Sequence, residues 1–128
     1  MNFEIKKSFS VSAETIYNAW LDSTEHAAMT GGAANCSKQE GEKFSAWDGY
    51  ITGKNIQLIP NSTIIQSWRT ADFADDQVDS QIKISLEDTN KGCTLILTHT
   101  NIPDGQPDYK KGWNEHYSEP MEDYFKNK

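Results

Sequence analysis

A chain of 128 residues has the length of one domain, and residues 1–128 read as a single unit. With 19 acidic against 12 basic residues the formal net charge is −7, which repels phosphate backbones and anionic lipid and excludes nucleic acid and membrane surfaces as partners. No stretch nears the roughly 18 apolar residues of a bilayer span, and the N-terminus lacks a signal-like apolar run, so the expected compartment is the cytoplasm.

Phe3, Ile5, Lys7 and Phe9 alternate with Glu4, Lys6 and Ser8, the pattern of a half-buried strand. Ser12 then reads as a helix N-cap, with Glu14 near the positive helix end. Val11 and Ile16 have the spacing of a hydrophobic staple, and Ile16/Trp20 and Tyr17/Leu21 are i,i+4 pairs on that helix. Ser23 reads as the cap of a second short helix to about Met29, ended by Gly31-Gly32.

Phe44 to Trp47 reads as a short strand, followed by an Asp48-Gly49 turn. Tyr50 to Lys54 resumes as strand, and Gly53 inside it suggests a bulge or sharp bend. Ile56 to Ile59 continues it to a Pro60-Asn61 turn, and Thr63 to Arg69 is β-branched and aromatic strand. Arg69 falls on the opposite face from Trp68 and reads as an outer salt-bridge residue. Ala71 to Asp79 is an acidic, solvated loop. Gln81 to Glu87 alternates cleanly, and Thr89 to Gly92 is turn chemistry. Cys93 to Thr100 puts Cys93, Leu95, Leu97 and His99 on one face.

After a Pro103–Pro107 loop, with Pro107 expected in the first helical turn, comes an aromatic stripe. Tyr109, Trp113, Tyr117, Met121 and Tyr124/Phe125 recur every three or four residues on one helix face. Pro120 should remove a hydrogen bond and kink or break this helix near Glu119. The reading is α+β: a strand, two short helices, an antiparallel meander, then a long helix lying in the concave face of the sheet.

Four pieces in order resemble one family. They are Phe44…Asp48-Gly49-Tyr50-Ile51-Thr52-Gly53-Lys54, then Leu58…Pro60…Ile64-Ile65-Gln66-Ser67-Trp68-Arg69, then Leu97-Thr98-His99-Thr100-Asn101-Ile102-Pro103, then Gly112-Trp113…Tyr117. The chain resembles the START-like (SRPBCC, Bet v 1-like) family of the C-terminal domain of the Hsp90 ATPase activator Aha1. The resemblance implies the helix-grip fold, a curved antiparallel sheet of six or seven strands wrapped around a long C-terminal helix. It also implies a cavity between sheet and helix, an Hsp90-type chaperone as a partner, and a place in the stress response.

Three kinds of chemistry have little support in the residues. His26, His99, His116, Cys36 and Cys93 show no metal-ligand spacing, so no metal or other cofactor is expected. Cys36 and Cys93 make no disulfide framework and read as reduced thiols. Cys93 and His99 share a strand face about 20 Å apart, too far for a catalytic dyad. For acid–base work His99 has two readings, an imidazole facing His116 or Tyr117 across a cavity and one bonded to a backbone group at its strand end, and the second is favoured because no carboxylate stands to orient it. No catalytic residue is assigned. The expected function is non-catalytic binding of a small apolar or amphipathic ligand by Tyr17, Trp47, Trp68, Leu97, His99, Trp113, Tyr117 and Met121. The rivals are an Hsp90-type co-chaperone or protein-interaction module, and a polyketide cyclase-like enzyme, which needs a paired acid and base in the pocket.

Overall fold

The structure, a computed structural model, describes residues 2–126. The opening alternation becomes β1 (Phe3–Phe9), which buries Ile5 and Phe9. α1 (Ala13–Trp20) starts at Ser12, whose side chain accepts from the Thr15 N–H. In α2 (Ser23–Thr30) the N-cap is Asp22 and not Ser23; its carboxylate accepts from the Glu25 N–H at 2.8 Å. A charged cap is the stronger one, and it leaves the Ser23 hydroxyl to bridge to the backbone of Cys36.

β2 (Lys43–Ala46), β3 (Ile51–Ile59), β4 (Thr63–Thr70), β5 (Ser80–Thr89) and β6 (Gly92–Thr100) complete a six-stranded sheet. Its order is β1-β6-β5-β4-β3-β2, antiparallel throughout. The meander runs from β2 to β6, and β1 closes beside β6. Ile64, Trp68, Ile82, Ile84, Leu95 and Leu97 face inward and are buried under the C-terminal helix. Arg69 faces outward as expected and pairs with Asp79 at 2.8 Å. The architecture is the α+β helix-grip arrangement.

Four local expectations are corrected. Trp47 is not strand: it opens a tight turn, Trp47–Gly49, in left-handed backbone. Gly53 makes no bulge, since it pairs regularly with Trp68. It is glycine because a Cβ there would lie 1.9 Å from the Ser67 carbonyl oxygen and 2.6 Å from the Phe44 ring. The bulge falls between Asn55 and Gln57 and turns Asn55 inward. There Asn55 accepts from Gln66 at 2.8 Å, and Gln66 accepts from the Trp20 indole at 3.2 Å, a buried polar ladder on the concave face. Pro107 lies outside the last helix, which Asp108 caps by accepting from the Lys111 N–H.

The fourth correction concerns Pro120. The final helix neither breaks nor stops at Glu119. It runs as α3 (Tyr109–Trp113), a π-helical turn (Asn114–Ser118) and α4 (Glu119–Lys126). The widened turn, closed by a Glu119 N–H to Asn114 carbonyl bond, places Pro120 beside a ladder already out of α register, where its missing N–H is tolerated.

Candidate functional site

The stripe on the last helix has a strict period. Tyr109, Trp113, Tyr117, Met121 and Phe125 are four residues apart, and all are buried. In an α-helix four residues overshoot a turn by about 40°, so such a run drifts by about 160° over its length. The π turn holds an extra residue and takes up part of that drift. All five side chains therefore stay against the sheet.

Two rings of the stripe each hold a buried imidazole. The Trp113 indole donates to Nδ1 of His99 at 3.0 Å. Indole nitrogen only donates, so Nδ1 is the acceptor and Nε2 carries the proton. That Nε2–H donates to Ser80 Oγ at 2.8 Å, and the Ser80 hydroxyl donates to the Trp68 carbonyl at 2.7 Å. One helical turn on, His26 Nδ1–H donates to the Trp20 carbonyl at 2.8 Å, and its Nε2 accepts from the Tyr117 hydroxyl at 3.0 Å. Burial pushes His99 down to about 3 and lowers His26 as well. It raises the Tyr117 hydroxyl. Both imidazoles are neutral and fully engaged, so neither is poised to shuttle protons.

Two spaces adjoin the stripe. Between sheet and helix centre, near Leu97, Trp113, Tyr117 and Met121, a void of only about 20 Å³ is left. The larger space, about 550 Å³, is an open groove beside the first half of the C-terminal helix. Trp47, Tyr50 and Ile51 form one side and Trp68 comes from β4. Tyr109, Trp113 and Tyr117 come from the helix, and the exposed Asp108, Lys111, Glu115 and His116 border it.

The structure thus brings Trp47, Trp68, Trp113 and Tyr117 to the groove, while Leu97 and Met121 border the small void. Tyr17 and His99 line neither. His99 packs edge-on against Trp68, with ring centroids 4.6 Å apart, behind the groove wall. His116, expected opposite His99, stacks edge-on against Trp47 instead, at 5.3 Å. Tyr50, Ile51 and His26 are additions that sequence patterning missed. Tyr50 and Ile51 follow the turn that reverses the chain at Trp47, and His26 sits alone on a short helix with no periodic cue.

The thiols do not contribute reactive chemistry: Cys36 and Cys93 are free, and burial pushes each up to about 11. Among the described residues no group of His, Cys, Asp and Glu gathers as a metal site, and no helix is long and apolar enough to cross a membrane.

The family model described as "Activator of Hsp90 ATPase homolog 1-like protein" matches residues 10–126. The chain belongs to that family. A Dictyostelium discoideum relative, "Activator of 90 kDa heat shock protein ATPase homolog", is 30% identical over 86% of this chain and 29% of its own length. The Homo sapiens "Activator of 90 kDa heat shock protein ATPase homolog 1" is 25% identical over 94% of this chain and 36% of its own. The chain spans about a third of the length of these curated relatives. The crystal structure of an HSP90 activator from Plasmodium falciparum superposes with a TM-score of 0.87 at 25% identity, covering 97% of this chain and 95% of that one. The Aha1 dimer from Colwellia psychrerythraea, at 17% identity and a TM-score of 0.77, shares the fold.

Proposed function

We propose that this chain is a non-catalytic binding module of the Hsp90-activator type, whose partner is an Hsp90-type chaperone. The observation that supports it is the family match over residues 10–126, together with a structural relative of the same extent that is called an HSP90 activator. The committed imidazoles and neutral thiols agree with association in place of bond chemistry. The test adds the purified chain to purified Hsp90 and follows ATP turnover. Faster turnover and a complex in sedimentation are expected; unchanged turnover with no complex would remove the reading.

A second reading has its own support in the groove of about 550 Å³, a volume within the roughly 300–1,000 Å³ of small-molecule sites. In it the groove holds a small apolar or amphipathic ligand. Native mass spectrometry of the chain purified from its own cells should then show a bound small molecule, and a uniformly bare mass would count against it. A stress-related role and cytoplasmic location go with the chaperone reading.

A further inference from the structure

We propose that the convex face of the sheet, around Lys54, Lys83 and Ile59, is where an acidic, partly apolar surface of the chaperone partner docks. The inference rests on the chaperone reading and names the side of this chain that meets that partner.

Charge is sorted between the two layers of the fold. The helix layer is acidic. Glu14 and Glu25 lie on α1 and α2, which carry no lysine or arginine, and on the C-terminal helix Glu115, Glu119, Glu122 and Asp123 outnumber the lysines. The outer face of the sheet has the opposite sign. Lys6, Lys43, Lys54 and Lys83 are exposed on β1, β2, β3 and β5, each next to a buried residue of the inner face. Against them the same face sets Glu4 and Glu87. None of the four lysines makes an ion pair among the described residues, where the pairs join Lys7 to Glu122, Arg69 to Asp79 and Lys111 to Glu115.

Register makes this arrangement costly for the chain on its own. Lys43 lies directly opposite Lys54 across β2 and β3. Like charges so placed repel each other and weaken a sheet. Glu40 reaches the same edge, but its carboxylate accepts from the Leu58 N–H at 2.9 Å and pairs with neither lysine. Beside the lysines the face is apolar. Lys83 pairs with Ile65, and Ile65 with Gln57 on β3. On that strand Ile56 and Ile59 are 48% and 44% exposed, two large apolar side chains left open to water. Apolar side chains ringed by unmatched charge are half of a protein interface.

One kind of occupant relieves both features: a protein surface that sets carboxylates around apolar side chains. The net charge of −7 does not oppose it. At physiological salt a charge is screened over about 8 Å, so the local patch decides what lies on it. The acidic helix layer is repelled by an acidic partner, which leaves the sheet face turned toward it. A phosphate lattice fits less well. The lysines fan across the sheet without converging on one group, and Glu4, which shares Thr98 as a neighbour with Lys83, would repel it.

The test measures association of purified Hsp90 with the wild-type chain, the double variant Lys54→Gln with Lys83→Gln, and Glu119→Gln on the helix layer. The double variant should bind roughly threefold to tenfold more weakly, mainly through slower association, and with a flatter salt dependence. Glu119→Gln should bind no more weakly than wild type. Lys54→Gln also removes the repulsion with Lys43, so it should melt no lower than wild type, which separates lost docking from lost folding. Wild-type affinity in the double variant, or an equal loss in Glu119→Gln, would overturn the inference and leave the chaperone reading standing. No complex with the wild-type chain would overturn both. Three further arms check the occupant: the chain alone in sedimentation, phosphatidylserine vesicles and a DNA duplex. Self-association, or vesicle or duplex binding, that the double variant loses while Hsp90 binding holds would give the face to another occupant and overturn the inference.

Discussion

The Trp113 indole donates to His99 Nδ1 at 3.0 Å, and that single bond sets the direction of the protons behind it. With Nδ1 accepting, His99 must donate to Ser80, and Ser80 must donate to the Trp68 carbonyl. The chain of bonds starts on the C-terminal helix, crosses β6 and β5, and ends on β4, next to the groove. The helix is therefore fixed to the sheet by a directed polar link as well as by ring packing.

Trp113→Phe keeps a ring in the stripe and removes the donor. His99 Nδ1 is then a buried acceptor without a partner, which costs about 1–3 kcal/mol. Thermal unfolding should show the loss. Ser80→Ala should cost a similar amount by stranding the other imidazole nitrogen. A Trp113→Phe melting point equal to wild type would mean that the link contributes nothing.

Stability should fall as the solution is acidified through the histidine range. In the folded chain His99 is pushed down to about 3 and His26 is lowered, both by burial. In the unfolded chain each regains a value near about 6.5. Below that value the unfolded state binds protons that the folded state refuses, so the contribution is intact above about pH 6.5 and is lost progressively as pH falls toward 3. Each fully refused proton gives a slope of about 1.4 kcal/mol per pH unit. Urea midpoints between pH 7.5 and 5.5 read this before most carboxylates titrate. His99→Asn should flatten the slope; a wild-type midpoint constant over that range would contradict the neutral-imidazole assignment.

Strand alternation, the Ser12 cap and the aromatic stripe were legible in the sequence because each is a local pattern with one physical meaning. Period two fixed the inner face of β4 to β6, and Trp68, Leu97 and His99 all fall on it. What pattern could not carry was anything set by distant partners. Gly53 answers to the Ser67 carbonyl across the sheet, not to its own strand. Asp22 and Ser23 are both competent caps, and contact with Cys36 assigns their roles. Trp47 reads as strand until Gly32 and Ala33 are seen holding its turn. At the groove the rings were foreseeable, but their position beside the helix was not, because the space under it is nearly filled.

Pro120→Ala separates two causes of the π turn. If proline forced it, alanine should restore the α ladder and recover much of the about 3 kcal/mol that an interior proline costs. The strict four-residue repeat of buried side chains argues that packing sets it, since an all-α path would rotate Met121 and Phe125 off the sheet. The expected change in thermal unfolding is therefore under about 1 kcal/mol. A gain near the full value would assign the turn to proline.

Two glycine-to-alanine changes should act in opposite directions. At Gly53 the new methyl would sit 1.9 Å from a backbone oxygen, and backbone cannot step aside as a flexible side chain can. Paired β3 and β4 would have to separate, and Gly53→Ala should lower stability by about 3 kcal/mol or more, beyond the usual about 1–3 for overpacking. Gly112 lies inside α3, where a Cβ meets nothing within 4 Å. Alanine there removes the entropic cost of a helical glycine and should add about 0.5–1 kcal/mol. Gly112 also lines the groove, so the same variant tests the small-ligand reading: a stabilised Gly112→Ala that loses a small molecule bound to the wild-type chain in native mass spectrometry places that molecule against α3. A bound molecule retained by the variant lies nearer the Trp47 turn. A destabilised Gly112→Ala would mean that the helix start there is not α-helical.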